Sequence, residues 1–275
     1  MMACTKQLFP ALFIGHGGGP LPLLDDKDVF AVELKQLGKS LPKKPTAIVI
    51  VTAHWQSSHG FEVSSVSSPS LLYDYSGFPP STYNLKYPAQ GAPILTDKIY
   101  NLFKDSGIPT KKDDKRGWDH GVFIPLMLMF PNADIPIVSI STCSNLDPAL
   151  HIRAGNALAQ LRESDILIIG SGMSFHNFGY FFANDKKKQD EGIAASKAFD
   201  GFLTETLTST TISPEQRVQK MVQWSSAPSA LQAHPLGQEE HLIPLHVVMG
   251  SGLGEAGKHL GTVQFKGYHS SFYQF

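Results

Sequence analysis

Four short apolar runs, Leu8 to Ile14, Ala47 to Val51, Ile135 to Ile140 and Ile166 to Ile169, constrain this chain more than any other feature. Each is nearly continuous rather than alternating, so both faces of the strand it forms have to be covered by other parts of the protein. The segments between them supply that cover. Val29 to Leu37, Ile94 to Phe103, Val122 to Phe130, Pro148 to Leu161, Ile193 to Leu207, Pro214 to Trp224 and Leu242 to Met249 repeat apolar residues at three-to-four spacing, the signature of helices with one buried face. Strand and helix in alternation predict an α/β fold: a central, largely parallel or mixed sheet with helices on both faces. No Gly/Ser-rich or charged linker divides the chain, so residues 1–275 are expected to form a single domain.

Composition narrows the partner. With 42% apolar residues over 275 positions, the chain can bury a large core, which excludes disorder and fibre. The 23 basic residues nearly cancel the 24 acidic ones, leaving no field to draw in nucleic acid or anionic lipid, so a small molecule is the expected partner. No apolar run approaches the ~20 residues that span a bilayer. Cys4 and Cys143 cannot make a disulfide framework, and the N-terminus lacks the charged flank and apolar core of a signal segment, so a cytoplasmic location is expected. Nothing in the sequence sets an oligomeric state. Between Ser67 and Pro93 runs a Ser-, Pro-, Tyr- and Gly-rich loop whose Tyr73, Tyr75 and Phe78 are candidates to wall a binding site, with ordinary loop packing as the alternative. The charge runs Lys111 to Arg116 and Lys186 to Lys188 read as solvated loops.

Ligands of open α/β sheets bind beyond the carboxyl ends of the strands. Histidines stand at those ends: His16 after the first run, His54 after the second, and His176 a few residues beyond the run at Ile166. His120 precedes a predicted helix, and His241 opens another. Any single histidine is most often a core or surface imidazole, but several independent strands delivering imidazoles to one rim can converge on a divalent metal. His234 and His246 are alternates to His241, while His59, His151, His259 and His269 lack a comparable setting. The string His16-Gly17-Gly18-Gly19 would suit an oxyanion hole, yet no Gly-x-Ser-x-Gly nucleophile elbow exists in the chain; Gly170-Ser171-Gly172 has the wrong spacing.

These motifs resemble the class III extradiol ring-cleaving dioxygenases, most closely the 4,5-DOPA dioxygenase extradiol group. The resemblance is carried, in order, by Pro10 to Gly17, Ala47 to Trp55, Gly77-Phe78-Pro79, Gly117 to Leu126, Ala133 to Pro136, Gly170 to His176 and Glu240 to Leu245. It implies one divalent metal, Fe(II) for activity or Zn(II) as purified, with His16, His54 and His241 as ligands. It also implies His176 as an acid/base near enough to count as a fourth ligand and His120 as a hydrogen-bond donor to substrate. The substrate would be a small aromatic diol of the DOPA kind, opened beside its hydroxyls by O2 to a semialdehyde. Two-histidine, one-carboxylate centres occur in this class, so Glu240 stands as the alternative to His241; neighbours on one helix point about 100° apart, and only one of them can face the metal. A catalytically silent binding or scaffold protein of the same fold and a zinc-dependent hydrolase are the competing functions.

Overall fold

The computed structural model describes residues 8–275; Cys4 and the N-terminal residues read for a signal segment lie outside the described residues. The chain runs through β1 (Ala11–Gly15), α1 (Leu21–Leu24), α2 (Val29–Ser40), β2 (Ala47–Ser57), β3 (Phe61–Ser64), α3 (Pro93–Asp105), β4 (Thr110–Asp113) and α4 (His120–Met129). It continues through β5 (Ile137–Cys143), α5 (Pro148–Leu158), β6 (Ile166–Gly172), α6 (Phe178–Phe181), α7 (Lys186–Thr208), α8 (Pro214–Val222), α9 (Ala230–Ala233), α10 (Ile243–Ser251), β7 (Lys258–Phe265) and β8 (Tyr268–Gln274). The strands form one eight-stranded mixed sheet in the order β4-β3-β5-β2-β6-β1-β8-β7.

The four apolar runs are its centre. β5, β2, β6 and β1 pair in parallel, with Ile50 opposite Ser139 and Ile169, and Phe13 opposite Gly170. Ile50, Ile169 and Phe13 are fully buried, each such side chain contributing roughly 1.5–3 kcal/mol by leaving water. Helices cover both faces, as expected. Successive residues of a strand point to opposite sides; a Cβ at Gly170 would meet Pro244 and Val248 of α10, whereas the neighbouring Ser171 hydroxyl donates to the Gly121 carbonyl of α4. α10 and α4 therefore lie on opposite faces, α10 packed on α5 and α4 on α2.

The sheet extends beyond the apolar runs. β3, β4, β7 and β8 are mixed polar-apolar strands that continuity of hydrophobicity does not reveal, and β3, β8 and β7 add antiparallel pairings at either side. Both charge runs change character. Lys111 and Lys112 lie in the edge strand β4, where lysine discourages pairing with other chains, and Lys186 to Lys188 open α7 behind the Asp185 cap. Among the described residues no helix is long and apolar enough to cross a membrane. The core is tied at its base by Arg162, which donates to the carbonyls of Phe9, Ser251 and Phe275 at 2.7 Å each and so joins the start of β1, the end of α10 and the end of β8.

Candidate metal centre

Parallel pairing of β1, β6 and β2 sends their carboxyl ends to one rim. His16 leaves β1 directly after Gly15. His54 does not follow its strand but lies inside it: β2 runs on to Ser57, and its register with β5 slips between Val51 and Gln56. Such a slip re-aims the side chains within it. His241 arrives from the far end of the chain. Its carbonyl accepts the Met173 N–H at 3.0 Å, and a Cβ at Gly172 would come within 2.0 Å of that same oxygen. Gly170 permits a similar approach by Pro244, so the Gly170-Ser171-Gly172 string opens one face of β6 to the entrance of α10 while Ser171 points to the other. Gly172→Ala is accordingly expected to push His241 off the rim. Metal affinity should fall roughly ten- to a hundredfold, as when outer supports of a metal site are removed, measured by chelator competition; wild-type affinity in that variant would contradict this account.

The three imidazoles meet. Ligand nitrogens of His16, His54 and His241 lie within 4.8 Å of one another, and Nε2 of His16 and Nε2 of His54 are 3.0 Å apart. Their ring centroids are separated by 4.9 Å (His16–His54), 5.3 Å (His16–His241) and 4.8 Å (His54–His241). The outer nitrogens are held by other groups. Ser171, having given its own proton to Gly121, accepts from Nδ1 of His16 at 2.9 Å, and Oε1 of Glu240 accepts from Nδ1 of His241 at 2.9 Å. Those hydrogen bonds place the proton on Nδ1 and leave Nε2 of each ring as a bare electron pair.

Electrostatics keeps the rings neutral. Burial first, and neighbouring imidazoles second, hold His16 and His241 well below the usual imidazole range. His54 is lowered to about 3, again by burial and then by His120, against an opposing pull from Asp74. A cluster of neutral nitrogen donors aimed at one point fits a divalent cation: nitrogens at about 2 Å around a tetrahedral ion lie about 3 Å apart, the spacing found between His16 and His54. Glu240 is not grouped with His16 and His54; its carboxylate orients His241 instead.

Two further histidines border the cluster. His120, the first residue of α4, stands 3.9 Å from His54 between ring centroids. Both its backbone N–H and its Nδ1 donate to Oδ1 of Asp74 at 2.9 Å. Burial pushes the Asp74 carboxyl up, but the hydrogen bond and charge of His120 more than offset it, so Asp74 stays below the ordinary carboxylate range. His176 stacks on His241 with centroids 3.6 Å apart and planes 11° from parallel. Its Nδ1 is 3.7 Å from Glu240, its ring abuts Phe178, and burial followed by His120 lowers it to about 4. In the described residues, His176 shares a donor cluster with Glu240 and His241, not with His16 and His54.

These groups line a cavity of about 410 Å³ walled by Gly17 to Gly19, Tyr75, Phe78, Phe178, Phe181 and Phe265. Tyr75 and Phe78 of the long loop thus face it, whereas Tyr73 packs on Phe123 and donates to the Leu85 carbonyl. His234 and His246 are buried elsewhere, donating to the carbonyls of Ser174 and Met221. Sequence reading missed Asp74, Ser171 and Arg116. Arg116, from the charge run, donates to the His54 carbonyl at 2.9 Å and to Asp119 at 3.2 Å. A lone acid in a Tyr-rich loop carries no spacing signal, but the serine between two glycines at a strand end was a usable one.

The family described as the catalytic LigB subunit of aromatic ring-opening dioxygenase matches residues 26–274. The chain is 39% identical over 267 residues to Dioxygenase tasH of Hapsidospora irregularis, covering 90% of this chain and 80% of that protein. It is 37% identical over 253 residues to the 4,5-DOPA dioxygenase extradiol of Beta vulgaris, covering 91% and 89%. Among solved structures, the uncharacterized protein JW3007 from Escherichia coli K12 superposes with a TM-score of 0.76 at 28% identity, over 97% of this chain and 99% of that one.

Proposed function

From the premise that the chain belongs to the family of catalytic LigB subunits of aromatic ring-opening dioxygenases, we propose that it opens a catechol ring of the DOPA kind beside its hydroxyls, at one Fe(II) held by His16, His54 and His241. That the protein is an extradiol ring-opening dioxygenase, dependent on a metal and acting on an aromatic substrate with O2, follows from the family. The specific substrate, the ion and the residue roles are our reading. The observation that carries it is the convergence of the three neutral imidazoles, two of them with Nε2 atoms 3.0 Å apart, at the floor of an aromatic-walled cavity.

Bound there, Fe(II) would supply Lewis acidity and the one-electron chemistry that a direct, spin-forbidden reaction of a catechol with O2 lacks. The remaining work falls to side chains. His176 is neutral at pH 7 because burial disfavours its charge, so it is poised to accept a hydroxyl proton and, once charged, to return it readily. Its stacking on His241 keeps it within reach of anything held by that residue. His120 donates its Nδ1–H to Asp74, which fixes the ring beside His54 on the cavity wall. Tyr75, Phe78 and Phe181 clamp the ring plane and exclude water.

The test is reconstitution with Fe(II) under nitrogen, addition of DOPA, protocatechuate or unsubstituted catechol, and admission of air. Oxygen uptake equal to catechol consumed, with a new visible absorbance, is the expected result. No uptake with any catechol would overturn the reading in favour of a silent scaffold, and turnover of a hydrolysable substrate with zinc under nitrogen would favour a hydrolase.

A further inference from the structure

Among the described residues, the cavity that contains the imidazoles has one lysine and no arginine in its lining. Lys266, an exposed residue, stands at its mouth, and Asp74, the single carboxylate lining it, is already occupied by His120. Among the described residues no carboxylate lies within ion-pair distance of the Lys266 amine. Its Nζ donates to the Phe181 carbonyl at 3.2 Å and sits 4.8 Å from the ring centre of Phe182. An ammonium has three protons to donate, so this seat fixes the amine in place and leaves donors for a further acceptor.

The backbone under Lys266 is unusual as well. Lys266-Gly267 is the two-residue turn of the β7–β8 hairpin, with φ of 52° and 88°. Two positive φ values are the requirement of a type I′ turn, for which Asn-Gly is the preferred sequence. Lysine at the first position sacrifices local fit, a departure expected where a residue is kept for what it binds.

We propose that Lys266 is the specificity determinant for an anionic ring substituent: the enzyme prefers catechols whose side chain ends in a carboxylate, and that carboxylate pairs with the Lys266 amine while the hydroxyls lie at the imidazole floor. This rests on the ring-opening reading above. It also separates the two charges of a DOPA-like molecule. The carboxylate is recognised; among the described residues an amine meets no free carboxylate in the cavity lining and is dispensable.

The test compares 3-(3,4-dihydroxyphenyl)propionate, 4-methylcatechol and dopamine with the Fe(II)-loaded wild type and Lys266→Asn. Asparagine removes the charge while suiting the turn, so the variant should unfold at an unchanged or higher temperature. In the wild type the propionate should be turned over best and dopamine worst. In Lys266→Asn, kcat/KM for the propionate should fall roughly tenfold, chiefly through KM, as for a lost charge-assisted hydrogen bond, with 4-methylcatechol changed less than about twofold. A propionate preference that survives the substitution, or equal losses for all three, would overturn the proposal. If the wild type consumes no oxygen with any of them, the ring-opening reading fails by itself. Calorimetric titration of the same compounds under nitrogen then still decides on Lys266, which requires tighter binding of the propionate and its loss in the variant.

Discussion

Protein carrying His16→Ala or His54→Ala is expected to retain little iron. Each variant removes one of three neutral donors from a site with no carboxylate among them. Loss of a mere outer-shell partner costs ten- to a hundredfold in affinity, so loss of a ligand should cost more than about a hundredfold. In these two variants the nearest carboxylates stay engaged. Glu240 is engaged with Nδ1 of His241, and Asp74 with His120. Metal analysis after anaerobic reconstitution and desalting measures the effect directly, without reference to turnover. Full iron in either variant would remove that residue from the proposed ligand set. His241→Ala should behave in the same way, while Glu240→Gln, which keeps an acceptor for Nδ1 of His241, should retain the metal; the reverse outcome would make the carboxylate the ligand.

His176→Ala should separate binding from chemistry. Its ring lies against His241 rather than in the cluster formed with His16 and His54, so most of the iron should remain. Turnover should fall by about 10²–10⁴, the range for a positioned general acid or base. The pH profile provides a second readout. With His176 lowered to about 4 by burial and by His120, the wild-type ring is neutral throughout the neutral range. Activity that needs it as a base should be present at pH 7 and lost only as the pH falls toward 4 and the ring charges. Residual activity in His176→Ala should lack that acid limb. A variant that keeps near-normal kcat would dismiss His176 as the proton carrier.

The centre of the fold was legible because burial on both faces leaves a direct trace in composition. Ala47 to Val51 and Ile166 to Ile169 have no polar residue to offer solvent, and they became β2 and β6 at the middle of the sheet. The outer strands were not legible. Thr110 to Asp113 lies at the edge of the sheet and pairs along one side only. In β8 the adjacent Ser270 and Ser271 are both buried, and Ser271 is served by hydrogen bonds such as the one it donates to Asp200. A polar residue satisfied inside a core looks, in a linear chain, like one facing water.

The amino-acid order alone determined that histidines would stand at the rim of a buried parallel sheet, because strand and helix periods are local and the ends of apolar runs can be counted. Only the folded chain decided which of them meet. His241 reaches His16 because Gly170 and Gly172 let α10 approach β6, Glu240 turned toward Nδ1 of its neighbour and away from the cluster of His16 and His54, and Asp74 and Lys266 joined the cavity from a loop and a hairpin turn. Such encounters depend on distances between segments far apart in the chain, and those distances are fixed by packing rather than by any pattern that neighbouring residues can carry.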